Sequence, residues 1–369
     1  MDQASELGFE MLILSFGSGF NLEKDTAEHR RIWKEVADYG LKKGIVMGSY
    51  SLLSSRSAGA KYNCVEGEQP IRFGQAPCLG SEWATNYFNK IRRFYAETGM
   101  GVFEHDGYYP SDACASTKHP GHKNYNDSVW KQRKVMIEFY REFRAKGIYL
   151  AVPDSYHMNG SSKNAMGYNE ENWSRPRSEQ LLHVRQHIYD GTWEKTPSMG
   201  WMFTPLTNYK GGGKAASYEP LEKSLDDYTQ VLGSLWGMGV QSSIRGHRLY
   251  DTPKTKAMVK GMLDWYKKYR AILESNIIHG RRADGKDIDW ILHVNPKLKR
   301  KGMLVAYNPL KEEMNKIIKV PLYYTGLTDR AIVKIRDKNP ETMTLNRDYS
   351  INLKVTIPAN SMIWVVFEE

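Results

Sequence analysis

GVFEHDGYYP, residues 101 to 110, is a short apolar run that stops at Glu104, His105 and Asp106 and then enters a loop of Gly, Tyr and Pro. A strand that delivers carboxylates at its C-terminal end suits a parallel barrel, because the loops on that face surround the active site. Alternate side chains of a strand share a face, so Glu104 and Asp106 are expected on the same side of the sheet. Asp106, short and placed at the strand end, is the expected centre of any chemistry.

On both sides of this stretch, from Phe9 to about Arg245, short apolar runs alternate with longer amphipathic segments. That alternation predicts parallel strands with crossover helices. The strands are expected at 9–15, 44–50, 101–105, 148–152, 198–203 and 239–244, with a further, more polar one near Ala165 to Trp173. Helices are expected between them at 24–42, 81–98, 127–146, 177–189, 220–236 and 253–273. In the third, Met136, Phe139, Tyr140 and Phe143 fall on one face, Asp127 can cap the start and Gly147 can end it. Beyond about Ile278 the rhythm becomes alternation and turns, as in WILHV, GMLVAYNP and INLKVTI, which predicts an antiparallel sandwich. The expected fold class is α/β, a (β/α)8 TIM-like barrel, complete or lacking its first strand, over residues 1–277, followed by a small antiparallel β-sandwich over 278–369.

The composition of the 369-residue chain, 41% hydrophobic and 25% charged, is that of a globular protein with a sizeable core. No run approaches the roughly 18 apolar residues of a bilayer span, and the N-terminus lacks the pattern of a signal peptide. Met1 is followed by DQASELG, which reads as the closing turns of an amphipathic helix. Upstream sequence is therefore expected to be absent, the alternative being a short solubilising leader. An export signal in that upstream part would make the protein periplasmic or secreted. Net charge is +10, yet Lys and Arg are scattered and form no basic tail, which argues against a nucleic-acid partner. Cys64, Cys78 and Cys114 show no paired spacing, so neither a zinc site nor a full disulfide set is expected, although a single bridge fits. HPGH at 119–122 places two histidines close together with no further ligands nearby in the sequence, and reads as a loop.

Aromatic residues, 12% of the chain, gather in expected loops, where flat faces beside polar tips suit sugar rings. Two carboxylates across a sugar-sized gap suffice to hydrolyse a glycosidic bond, about 5 Å apart when one is the nucleophile. After the next strand, VPDSYHMNG offers Asp154, either a second catalytic acid or, in preference, a hydroxyl-binding carboxylate, with Tyr156 beside it. GYNEENWSRPR then brings Glu170 before Trp173 and Arg177, and burial beside an aromatic wall raises a carboxyl pKa as a general acid needs. Asp190, Trp193 and Trp201, and then Arg245, His247 and Asp251, are expected at the ends of late strands, where they could line one pocket. NYKGGGK, 208–214, has no strand-to-helix phosphate signature and reads as a loop.

With these motifs in order, the chain resembles the melibiase-type α-galactosidases of glycoside hydrolase clan D, in a divergent branch common among polysaccharide-degrading bacteria. The resemblance spans nearly the whole chain. ELGFEMLILSFGSGF looks like the clan's second barrel strand, with Ser15, Phe16 and Gly17 where better-known members carry paired aspartates. GIVMGSYSLL looks like its third and GVFEHDGYYP like its fourth, which ends in a lysine, an aromatic residue and the nucleophilic aspartate. The resemblance therefore implies that Asp106 is the nucleophile, with Glu104 and His105 where the lysine and aromatic residue stand. The clan's acid/base is an aspartate shortly after a Trp, a position without a carboxylate in NWSRPR, and Glu170 is inferred in its place. The clan's first strand falls outside this chain on the same matching.

The function so implied is a retaining exo-α-galactosidase acting on oligo- or polysaccharide through a covalent glycosyl-enzyme. Asp106 and Glu170 are its catalytic pair, and Glu104, His105, Asp154, Tyr156, Trp173, Arg177 and Arg245 are its substrate contacts. No metal or organic cofactor is required by that chemistry. The alternatives are an α-glycosidase for an anionic or anhydro sugar and a non-catalytic carbohydrate-binding barrel.

Overall fold

A computed structural model describes residues 1–15, 18–53, 55–106, 111–153, 160–166, 175–207 and 217–369. The chain forms two compact units, Met1–Ala165 and Met166–Glu369.

The first unit is a run of β/α repeats. After the short helix α1 (Asp2–Leu7) come β1 (Met11–Leu14), α2 (Ala27–Lys42), β2 (Val46–Leu52), α3 (Glu82–Thr98), β3 (Val102–Asp106), α4 (Tyr125–Ala145), β4 (Tyr149–Val152) and β5 (Lys163–Ala165). The strands pair in parallel, with Ile13 opposite Gly48, Tyr50 opposite Glu104, Leu52 opposite Asp106, and Phe103 opposite Leu150. Parallel pairing brings all the C-terminal strand ends to one side. Helix starts are fixed locally. The Thr26 side chain accepts from the His29 amide at the head of α2, and Asn124 with Asp127 forms a reciprocal capping box at the head of α4. The expected cap Asp127 is thus the third helical residue, reaching back to a cap supplied by Asn124. Met136, Phe139, Tyr140 and Phe143 are all buried, as their spacing on α4 requires.

The second unit continues with α5 (Arg177–Gly191), β6 (Gly200–Pro205), α6 (Leu225–Gly237), β7 (Gln241–Arg245) and α7 (Pro253–Leu273). Strands β6 and β7 pair in parallel, Trp201 opposite Gln241 and Pro205 opposite Arg245. The parallel strands β1 to β7 are ordered as they occur in the chain. The further strand expected near Ala165 is β5, which ends at that residue. Most of the rest of that span lies outside the described residues.

The chain then changes character: β8 (Asn276–His279), β9 (Asp289–Val294), β10 (Arg300–Asn308), β11 (Met314–Pro321), β12 (Arg330–Ile335), β13 (Glu341–Thr344), β14 (Ser350–Ile357) and β15 (Ser361–Glu368). Six of them form an antiparallel sheet in the order β13-β12-β15-β10-β9-β8, and β11 pairs with β14 in a second. Burial along β14 alternates strictly from Ile351 onward, burying Ile351, Leu353, Val355 and Ile357. These side chains share a core with Leu304, Val333, Val365 and Phe367 of the larger sheet, so the two sheets close as a sandwich. Strands β8 and β13 were not among the expected ones. Both are short and carry polar residues, so neither has the alternation that marks a strand in sequence.

A buried ion pair fastens the helical part of this unit to the sandwich. Arg185 of α5 makes two bonds to the Asp289 carboxylate of β9, 2.7 and 3.0 Å, and a third to Ser234 of α6. Burial pushes the Asp289 carboxyl upward while the Arg185 guanidinium opposes it. The whole is a TIM-type (β/α) barrel architecture with a C-terminal antiparallel β domain. Among the described residues, no helix is long and apolar enough to cross a membrane.

Candidate active site

Strand β3 buries Val102, Phe103, Glu104 and His105 and leaves Asp106 half-buried at its end. The two faces of the strand meet different surroundings. Phe103 and His105 point toward the helices, where His105 lies between the hydroxyls of Tyr87 on α3, 2.9 Å, and Tyr140 on α4, 3.1 Å. By alternation, Glu104 and Asp106 stand on the opposite face, as expected from the sequence. Tyr50 of β2 shares that face, because it is the register partner of Glu104, and its hydroxyl donates to Asp106 Oδ2 at 2.7 Å. The Asp106 carbonyl in turn accepts from the Leu53 amide, 2.7 Å, which extends the β2–β3 ladder to the strand end. A carboxylate is therefore held by a neighbouring phenol at the C-terminal edge of the sheet, on the side where barrel enzymes do their chemistry.

The expectation that His105 binds substrate is corrected by this geometry. Its ring is fully buried, both nitrogens are engaged by tyrosine hydroxyls, and the Tyr87 hydroxyl also meets Ser51 Oγ at 2.7 Å. Burial, with the Arg56 guanidinium adding to it, holds the imidazole pKa down to about 3. His105 is a neutral core residue that locks β3 to α3 and α4. Tyr50, by contrast, was missed. Its signal was its place at the end of the run GIVMGSY, one strand over and in register with Glu104.

The other expected site residues divide in three. Asp154, Tyr156, Glu170 and Trp173, with the glycine-rich segment 208–214, lie outside the described residues. Arg245 ends β7, as expected, with its guanidinium 3.8 Å from the Phe203 ring centroid. Arg177 begins α5 and is engaged there by Asp227, 3.2 Å, and by Ser224 Oγ. Asp190, Trp193 and Trp201 are not at strand ends. Helix α5 runs to Gly191, so Asp190 and Trp193 precede β6, Asp190 in a two-bond pair with Arg282 and Trp193 stacked 3.7 Å from His279. Trp201 is buried within β6. Asp251 is spent on the head of α7, where it accepts from Thr255 Oγ1 at 3.0 Å.

All three cysteines are free thiols. The reading of HPGH as histidines without further ligands is overturned: Cys78 and Cys114 lie against His119 and His122, all four buried, with one ligand atom from each within 4.8 Å of the others. Cys78 Sγ is 3.3 Å from His122 Nε2, and Cys114 Sγ is 3.4 Å from His119 Nδ1. The chain separation of Cys78 from the others hid the group. The local pattern CASTKHPGH does carry three of the four residues.

No protein-family model and no curated protein matches the chain. Solved structures do match over its whole length. A GH27 β-L-arabinopyranosidase from Geobacillus stearothermophilus, solved with arabinose, superposes with a TM-score of 0.60 at 11% identity, covering 100% of this chain and 91% of that one. The chain shares the fold of the melibiase-type glycosidases. An α-galactosidase from Lactobacillus brevis matches with a TM-score of 0.65 at 13% identity over 100% of this chain, and a GH36 α-galactosidase from Geobacillus stearothermophilus with 0.66 at 12% over 99%. The chain spans about half of each of these two, 52% in both cases.

Proposed function

We propose that the chain is a retaining exo-α-galactosidase-like glycoside hydrolase, with a catalytic barrel over 1–277 and a β domain over 278–369. The observation that carries this reading is the placement of Asp106: C-terminal end of β3, half-buried, on the Tyr50 and Glu104 face, with the Tyr50 hydroxyl on Oδ2. The fold of the matching structures supports a glycosidase, and the sugars in their names support a galacto-configured substrate. A β-L-arabinopyranoside is an α-D-galactopyranoside without the C6 hydroxymethyl group, so the two names point to one ring configuration.

The Asp106 carboxylate attacks the anomeric carbon as Glu170 donates its proton to the departing glycosidic oxygen, and that C–O bond breaks to leave a glycosyl ester. Glu170, now a carboxylate, takes a proton from water; the oxygen adds to the anomeric carbon and the ester bond to Asp106 breaks. Glu104 on β3 and Arg245 at the end of β7 are assigned to substrate hydroxyls, and Asp154, Tyr156, Trp173 and Arg177 are assigned to sugar binding. Asp106→Ala is the test. Turnover of an aryl α-galactoside is expected to fall at least about a thousandfold with the thermal midpoint unchanged. Near-wild-type turnover by the variant removes the assignment, and carbohydrate binding by a wild-type protein that hydrolyses no aryl glycoside favours a binding barrel.

A further inference from the structure

Beyond the sugar site, two loops of the first unit converge on the buried sulfur and imidazole group. Cys78 comes from the connection between β2 and α3; Cys114, His119 and His122 come from that between β3 and α4. Both connections leave the C-terminal strand ends, the same end of the sheet that presents Asp106.

Four features give the group the chemistry of a metal site. The donor set is two thiols and two imidazoles, which with tetrahedral geometry selects zinc among the common divalent ions. Its spacing fits: bond lengths of about 2.3 Å to sulfur and about 2.05 Å to nitrogen put neighbouring ligand atoms about 3.6 Å apart in a tetrahedron. The two sulfur-to-nitrogen separations, 3.3 and 3.4 Å, are close to that edge. The outer contacts are also of the right kind. His119 Nε2 lies 3.0 Å from the Lys61 carbonyl, which fixes the tautomer that turns the Nδ1 lone pair toward Cys114. The Val65 amide donates to Cys114 Sγ at 3.4 Å, as a thiolate favours.

The backbone is shaped around the group as well. A Cβ on Gly80 would stand 2.5 Å from the His122 ring, and one on Gly121 would stand 2.6 Å from the Gly80 backbone. The Gly121 amide donates to the Gly80 carbonyl, 2.8 Å, and the Ala115 amide to the Val65 carbonyl, 2.9 Å. The loops therefore touch through main chain at the group, an approach that only glycine permits at these two positions.

We infer that Cys78, Cys114, His119 and His122 bind one zinc ion in a closed four-ligand structural site that clamps the loop after β2 to the loop after β3. All four positions are filled by protein, so the ion takes no part in chemistry and acts by fixing the walls beside Asp106. Cys64 stands next to the sulfurs, 3.7 Å from the Asp112 carbonyl, and is not one of the four residues that converge.

The test is the metal content of the full chain purified without chelator, which reads independently of any glycosidase activity. About one zinc per chain is expected in the wild type and in Cys64→Ser, with at least about a tenfold loss in Cys114→Ser and His119→Ala. Because those variants can lose metal by failing to fold, the wild type is also stripped with a strong chelator and refilled with zinc alone. Stripping is expected to expose thiols to a thiol reagent and lower the thermal midpoint, and zinc to reverse both. Protein that is metal-free, takes up no zinc and melts unchanged overturns the inference. So does a Cys78–Cys114 disulfide found by mass spectrometry, or zinc lost from Cys64→Ser.

Discussion

One phenol holds a carboxylate oxygen of the candidate nucleophile. Tyr50 donates to Asp106 Oδ2, and a hydrogen bond to a charged group is worth about 1.5–3 kcal/mol. Tyr50→Phe removes that donor and keeps the ring, so kcat is expected to fall roughly 10- to 100-fold with little change in thermal midpoint. A variant with unchanged kcat would show that the bond is incidental. His105 makes the opposite case, a titratable residue beside the site whose role is stability. Its folded pKa of about 3 lies below the ordinary 6.5, so between those values the unfolded chain binds the proton and the folded chain does not. Its contribution is therefore present above about pH 6.5 and lost as pH falls toward 3, at about 1.4 kcal/mol per pH unit. His105→Gln, which cannot titrate, is expected to flatten the acid limb of unfolding free energy against pH by about one proton relative to wild type. Superimposable slopes would contradict the assignment. The strand-end position of Asp106 was legible because the apolar run stops there. The role of His105 was not, since a packed histidine and a site histidine look alike until its tyrosine neighbours are known.

Elements were more legible than residues. The strands GVFEH, IYLAV and GVQSSI and the helix over Met136 and Phe143 lie where periodicity puts them, because apolar spacing and local caps specify each without long-range help. Misplacement began where an element's length decided an end of the sheet. Helix α5 continues to Gly191, which carries Asp190 and Trp193 away from any strand end and into contacts with Arg282 and His279. The converging cysteines and histidines were hidden for a related reason, since one ligand arrives from a different connection. The joint between α5 and β9 yields a prediction at this scale. Asp289→Ala would leave the Arg185 guanidinium buried without its counter-ion, and a loss of about 3–5 kcal/mol in unfolding free energy is expected. A denaturant midpoint within error of wild type would mean that water reaches Arg185.

At the scale of the molecule, alternating strands and helices followed by antiparallel strands were enough to read a barrel with a β domain. Structures of that fold match the chain end to end at 11–13% identity. Fold alone does not select chemistry. The proposed link from this fold to glycoside hydrolysis rests on one carboxylate, Asp106, at the end of β3. The most direct test is to inactivate the protein with an activated fluoro-sugar of galacto configuration, which forms the glycosyl ester and hydrolyses slowly, and to map the adduct by peptide mass spectrometry. The account requires one glycosyl group on the peptide bearing Asp106, and an adduct on any other carboxylate would contradict it.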